Sequence, residues 1–311
     1  MNGSAGRALV FPGQGSQSLG MGRDLFDAYP ESRGIFEQAD SALGFSLSKI
    51  CFEGPEEELK KTAVTQPALL TASIASLVIL QKEGYSFQSV AGHSLGAYTA
   101  LVAAKVLSFE DAVRLVRRRG ELMEEAGRGR GTMAVILNLD EEKVAQACRE
   151  ASEAGVVEPA NVNSPGQIVI SGEKSAVLLA CEKAKALGAK RAMELPVSGP
   201  FHSSLMKAAA EGLSQALAQT VFSTPQTTYY SDIDAVAMGD PDRIKESLVR
   251  QLVSPVQWIK VIEKMNLEGI GVFVEVGPGK VLSGLIKKIS KDAQVFNAGD
   301  VASIQAVCEA K

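Results

Sequence analysis

The chain is short of the residues on which many binding and catalytic chemistries depend. It has only two histidines, His93 and His202, among 311 residues. Its four cysteines, Cys51, Cys148, Cys181 and Cys308, are scattered, with no C-x-x-C pair and no ligand spacing to either histidine. That pattern excludes a zinc site or a disulfide scaffold and fits a reducing compartment. Neither charge dominates: 32 Lys and Arg against 36 Asp and Glu leave a net charge of −4. This argues against nucleic acid or an acidic membrane surface as the main ligand. Residues 1–6 lack the apolar core of a secretory leader. The longest uncharged run, 62–81, is interrupted by Gln66, Pro67, Thr71, Ser73 and Ser76, so it reads as a buried helix and not a membrane span. The expectation is a soluble, cytoplasmic protein. Nucleotide loops are missing as well. The glycines of Pro12-Gly13-Gln14-Gly15-Ser16-Gln17 stop short of G-x-G-x-x-G at Ser18, and Gly279-Lys280 is followed by Val281 where a Walker loop needs Ser or Thr.

What the chain does have is ordinary globular material, 46% hydrophobic and 22% charged, enough for one large or two modest domains. It is organised around Gly92-His93-Ser94-Leu95-Gly96, which follows a short strand-like run and opens a helix of small residues. This is the strand–turn–helix setting of a nucleophile elbow, in which glycines permit the sharp turn and the Ser94 hydroxyl stands exposed. The helix behind it aims free N–H groups at the same spot, which favours a developing oxyanion. A chance match is the alternative in a chain with 29 glycines.

A serine nucleophile needs a base. His93 is adjacent to Ser94, and on an extended turn neighbouring side chains point apart, so it is a poor candidate. That leaves His202, in Ser198-Gly199-Pro200-Phe201-His202, far downstream as is normal for a base that meets its nucleophile only in the fold. The bland alternative is a satisfied, partly buried histidine. A third residue stands out on the helix expected over 109–125. Phe109, Ala112, Val113, Val116, Gly120 and Met123 mark one apolar stripe, with Arg114, Arg117 and Arg118 outside it and Arg119 within it. An inward arginine must be paired or face a ligand. Its planar fork suits a carboxylate, either of a substrate or of a structural ion pair.

The Gly127-Arg128-Gly129-Arg130-Gly131 stretch reads as a domain boundary. Beyond it the pattern predicts strand 132–139, helix 140–152, strand 156–162, a turn at 163–166, strand 167–171, helix 173–187 and strand 189–196. This βαββαβ order is that of a ferredoxin-like unit. A small domain over 129–197 would thus be inserted into a larger α/β domain made of 1–128 and 198–311. In the larger part a long helix is expected to begin at Thr65-Gln66-Pro67, residues 232–242 read as a polar stretch, and 271–276 reads as a strand buried on both faces of a parallel sheet.

Together these segments resemble the malonyl-CoA:acyl carrier protein transacylases of fatty-acid synthesis, and after them the acyltransferase domains of polyketide synthases. The resemblance rests on Phe11-Pro12-Gly13-Gln14-Gly15-Ser16-Gln17, Gly92-His93-Ser94-Leu95-Gly96, Arg119-Gly120, Asn161-Val162-Asn163-Ser164-Pro165-Gly166-Gln167, Gly199-Pro200-Phe201-His202-Ser203, Pro255-Val256-Gln257-Trp258 and Glu275-Val276-Gly277-Pro278-Gly279, in family order. Ala97, where the family often has glutamate, and Ser231-Asp232-Ile233-Asp234, where an asparagine is common, depart from it. The resemblance implies an α/β-hydrolase-like larger domain with a parallel sheet, and a Ser94–His202 dyad. It implies an oxyanion hole from the N–H groups of Gln14 and Leu95, and a backbone carbonyl near Gln251 orienting the histidine. Arg119 would pair with the malonyl carboxylate, Phe201 would narrow the acyl pocket, and His93 is counted with them as substrate-binding. The implied partners are malonyl-CoA and acyl carrier protein, with no metal or other cofactor and a monomeric protein. The rival readings are a serine hydrolase that uses water as acceptor, and a non-catalytic module that only binds an acyl carrier.

Overall fold

The computed structural model of the protein describes residues 5–310; residues 1–4, which belong to the segment read above as lacking a leader, and Lys311 lie outside them. The strands run in chain order as β1 (Gly6–Phe11), β2 (Ser89–Gly92), β3 (Thr132–Leu137), β4 (Val157–Ser164), β5 (Gln167–Gly172), β6 (Arg191–Glu194), β7 (Thr228–Tyr230), β8 (Ala237–Met238), β9 (Ile270–Val276) and β10 (Gln294–Ala298). They form two sheets. The larger has the order β10-β9-β1-β2-β7-β8, parallel throughout except for the short β8, which runs against β7. The smaller is antiparallel, in the order β4-β5-β3-β6. Between β3 and β6 the chain passes through a helix at Glu141–Ala151 and another at Lys174–Ala186. These pack on the small sheet around a core of their own that includes Ile136, Val144, Ile170 and Val177.

A parallel sheet gathers its strand-to-helix turns at one end, and ligands bind there, beyond the carboxyl ends of the strands. The loops after β1, β2 and β9 all leave from that end. The sheets are also tied to each other. Val162 N donates to Val256 O at 2.8 Å and Val256 N donates to Ala160 O at 2.9 Å, so β4 of the small sheet grips the Pro255–Trp258 stretch of the larger part.

The long apolar helix spans Thr62–Lys82, and 18 of its 21 residues are buried. By length and composition it could cross a membrane, but here it is a core element. It begins at Thr62, ahead of the expected Thr65, with Pro67 inside its second turn. Proline has no N–H to give to Ala63 O, and such a gap normally breaks a helix. Arg117 Nη1 fills it, donating to Ala63 O at 3.0 Å. The expectation for 271–276 needs one refinement: β9 carries the buried Glu275, whose carboxylate accepts from Leu282 N (3.0 Å) and Ser283 N (2.7 Å). It thereby satisfies the free N–H groups at the start of the helix Val281–Ile289.

The stretch 232–242 is more ordered than its polarity suggests. It contains β8 and ends in the start of an amphipathic helix, Pro241–Gln251, with Asp240 as its cap. That helix delivers Gln251 to the centre of the molecule, where it is fully buried.

Candidate active site

β2 ends in the turn that carries Ser94, and the helix Gly96–Ala103 follows at once. The turn is tight enough to require both glycines. A Cβ on Gly92 would sit 1.9 Å from the backbone of Gly96, and one on Gly96 would sit 2.0 Å from Phe11 O. Ser94 itself is held at φ 51°, a left-handed conformation that L residues adopt at a cost of about 1–2 kcal/mol. Such strain persists only where surrounding structure imposes it, and functional sites are where it collects.

The structure brings Ser94 and His202 together: Oγ lies 2.8 Å from Nε2. On its other side, His202 Nδ1 is 2.8 Å from Gln251 O. A carbonyl only accepts, so Nδ1 carries the proton and Nε2 is left free to take one from the serine. His202 is buried, which with the nearby Arg119 charge pulls its pKa down to about 3. It is therefore neutral near pH 7, as a base must be.

Arg119 is 1% exposed, as its place in the apolar stripe predicts. Gly120 explains how it gets there. A Cβ at that position would lie 2.6 Å from Ala63 Cα, so glycine lets the helix Phe109–Gly127 settle against Thr62–Lys82. Arg119 Nη1 then donates to Gln66 Oε1 (2.9 Å), and Nη2 donates to Gln251 Oε1 (3.0 Å) and Ser94 Oγ (3.1 Å). The guanidinium also lies 5.4 Å from the centre of the Tyr98 ring, and its Nε has no hydrogen-bond partner among the described residues. All its hydrogen-bond partners are neutral. By contrast Arg114, Arg117 and Arg118 pair on the surface with Glu110 and Glu121.

The remaining expected residues surround the same cavity of about 190 Å³, which is lined by Gln14, His93, Leu95 and Phe201 as well as Ser94, Arg119 and His202. Among the described residues the backbone N–H groups of Gln14 and Leu95 donate to no protein acceptor. His93 is buried, with Nε2 2.8 Å from Asn163 Oδ1 and its ring edge-on to Trp258. Burial lowers its pKa. Asn163 comes from the small sheet, so the cavity lies where the two sheets meet. Three polar residues were not singled out as site residues from the sequence: Gln66, which lines the cavity, and the Gln251 side chain and Asp232, which are hydrogen-bonded behind Arg119 and Ser94. Asp232 accepts from Ser94 N (2.8 Å) and from Gln251 Nε2 (2.8 and 2.9 Å). Only the departure of residues 231–234 from the family pattern drew notice to its neighbourhood. No group of three or more His, Cys, Asp or Glu placed to hold a metal occurs among the described residues.

A serine and a neutral histidine on an elbow, beside unoccupied N–H donors, define an enzyme of acyl transfer. The chain belongs to the acyl transferase domain family, whose model matches residues 8–307. It is 50% identical over 284 residues to the malonyl CoA-acyl carrier protein transacylase of Escherichia coli K12, covering 91% of this chain and 92% of that one. The protein of the same name from Bacillus subtilis is 48% identical over 300 residues, covering 96% of this chain and 95% of that one. Among solved structures, a malonyl-transacylase in complex with its type II PKS acyl-carrier protein superposes with a TM-score of 0.97 at 45% identity, covering 99% of this chain and all of that chain. The Streptococcus pneumoniae enzyme superposes with a TM-score of 0.94 at 45% identity, covering 98% and 100%.

Proposed function

We propose that the protein moves a malonyl group from malonyl-CoA to the phosphopantetheine thiol of acyl carrier protein, in two half-reactions through Ser94. The observation that carries the malonyl assignment is the unpaired Arg119. A buried guanidinium with only neutral partners, one of them the Ser94 hydroxyl, leaves a place for an anion beside the nucleophile. Malonyl supplies such an anion on the acyl group itself, and the named relatives act on malonyl-CoA and acyl carrier protein.

In the first half-reaction His202 Nε2 takes the Ser94 proton while Oγ bonds to the thioester carbon. The oxyanion that forms is met by the N–H groups of Gln14 and Leu95. The carbon–sulfur bond then breaks, and CoA leaves with the proton from His202. The second half-reaction runs these steps backwards with the carrier thiol in place of CoA. Arrival of a carboxylate at Arg119 has a further effect on His202. Part of the depression of its pKa comes from the Arg119 charge, so neutralising that charge makes the histidine a stronger base when the right substrate is present. Phe201 and His93 would bound the acyl group in the cavity. We read the large sheet with its elbow as hydrolase-like, and residues 129–197 as a ferredoxin-like domain that closes the cavity from the other side.

Transfer can be tested with malonyl-CoA and carrier protein with or without its phosphopantetheine arm. Malonyl is expected only on the phosphopantetheinylated carrier. Release of free malonate at one rate, whichever carrier is present, would instead establish a hydrolase.

A further inference from the structure

Gln66, on the helix Thr62–Lys82, has one end of its amide well paired and the other poorly paired. A guanidinium only donates, so the end facing Arg119 must be the oxygen. Oε1 accepts from Arg119 Nη1 at 2.9 Å, which leaves Nε2 pointing the other way. Nε2 carries two N–H groups, and its one partner among the described residues is the Met123 sulfur at 3.3 Å. A thioether is a weak acceptor, so this contact recovers little of what a buried amide gives up on leaving water. Gln66 and Met123 are only 1% and 2% exposed, yet both line the cavity that holds Ser94. An underused donor therefore stands in the wall of the space an acyl group must enter.

We propose that Gln66 Nε2 is a second donor to the acyl carboxylate, beside Arg119. Arg119 spans the distance from nucleophile to amide, with Nη2 3.1 Å from Ser94 Oγ and Nη1 on Gln66. An acyl group on Ser94 that ends in a carboxylate runs along this span and meets both residues at its far end. The carboxylate has about four lone-pair sites, more than one guanidinium edge fills. Met123, unbranched and flexible, gives up its contact with Nε2 as the carboxylate arrives. This rests on the malonyl reading given under Proposed function.

The choice of an amide at this position follows from the same chemistry. A glutamate would hold Arg119 as well as glutamine does, but it would close an ion pair inside the protein and fill the place of the substrate's anion. Glutamine presents an oxygen to the guanidinium and N–H groups to the ligand, and it adds no charge of its own. The cation is thereby held in position with its charge still open to the acyl group.

The test is kcat/KM for acyl-enzyme formation from malonyl-CoA and from acetyl-CoA, in the wild type and in variants of Gln66 and Arg119. Gln66→Met keeps the volume and removes the amide, and it should lower the malonyl value about tenfold more than the acetyl value. Gln66→Glu keeps an acceptor for Arg119 and should lower the malonyl preference further still. Combining Gln66→Met with Arg119→Ala separates contact with the substrate from mere support of Arg119. If Gln66 touches the carboxylate, Gln66→Met should still cut the malonyl preference left in Arg119→Ala by about threefold or more. No further fall in that background overturns the proposal and makes Gln66 a prop for Arg119 alone. Equal losses for the two thioesters in Gln66→Met, or a wild-type preference retained in Gln66→Glu, overturn it too. A wild type with no preference for malonyl over acetyl overturns instead the reading on which the proposal rests, which separates the two failures.

Discussion

Ser94 and His202 stand 108 positions apart in the chain, yet both hold a left-handed backbone, φ 51° and 58°, where their side chains meet at 2.8 Å. Two strained residues aimed at one another are the core of the account, and each makes a distinct prediction. Ser94→Ala should form no acyl-enzyme, because no other hydroxyl replaces it beside His202. His202→Ala should keep the nucleophile but lose its base, lowering the rate of acyl-enzyme formation by roughly 10²–10⁴. Rapid-quench labelling with radioactive malonyl-CoA measures both. A His202→Ala rate equal to the wild type would remove the histidine from the mechanism.

Arg119→Ala should separate substrates by charge. Loss of one side of a buried charge pair costs on the order of 2–5 kcal/mol, so kcat/KM for malonyl-CoA should drop by at least about thirtyfold. Acetyl-CoA, with no carboxylate to lose, should be affected far less. Equal losses for the two thioesters would make Arg119 a structural residue.

The elbow makes a prediction about folding. In Gly96→Ala the added Cβ would lie 2.0 Å from Phe11 O, a backbone atom of the neighbouring strand that cannot step aside. Urea denaturation should show a loss of about 3 kcal/mol or more, at the upper end for overpacking. Gly34→Ala provides the contrast. It lies within the helix Pro30–Leu43 with nothing near its would-be Cβ, so alanine there should add about 0.5–1 kcal/mol.

Stability should also depend on pH through His202. Its pKa falls from an ordinary 6.5 to about 3, through burial first and the Arg119 charge second. Between those values the unfolded chain binds a proton that the folded chain does not. The contribution is therefore complete above 6.5 and lost as pH falls toward 3. By about pH 5 the loss from this group is roughly 2 kcal/mol. Asp232 acts in the opposite direction, since burial raises its pKa from 3.8 to about 6 and acidification across that window favours the fold. Comparing the wild type with His202→Gln at each pH cancels the Asp232 part. The variant's stability should fall less between pH 7.5 and pH 5, and identical slopes would contradict the buried neutral histidine.

The residues proposed to carry the reaction were legible in the sequence because each broke a local pattern. Ser94 sat in a glycine turn between strand and helix, His202 was the only histidine free to approach it, and Arg119 interrupted an apolar stripe. The residues that support them gave weaker signals. Gln66 is one polar side chain in a long apolar helix, and its purpose appears only when Gly120 brings Arg119 beside it. Gln251 closes a helix hidden in a polar-looking stretch, although Asp240-Pro241 and the spacing of Ile244 and Leu248 mark that helix in retrospect. Asp232 reads as a loop residue, and its contact with Ser94 spans 138 positions. Chain order alone does not carry contacts of that range.

The most direct test of the whole account is intact-protein mass spectrometry after brief mixing with malonyl-CoA, followed by addition of phosphopantetheinylated carrier. The account predicts a gain of one malonyl group, mapped to the peptide containing Ser94, which then disappears from the enzyme as it appears on the carrier. A gain on any other residue, or one lost to water with no transfer, would contradict it.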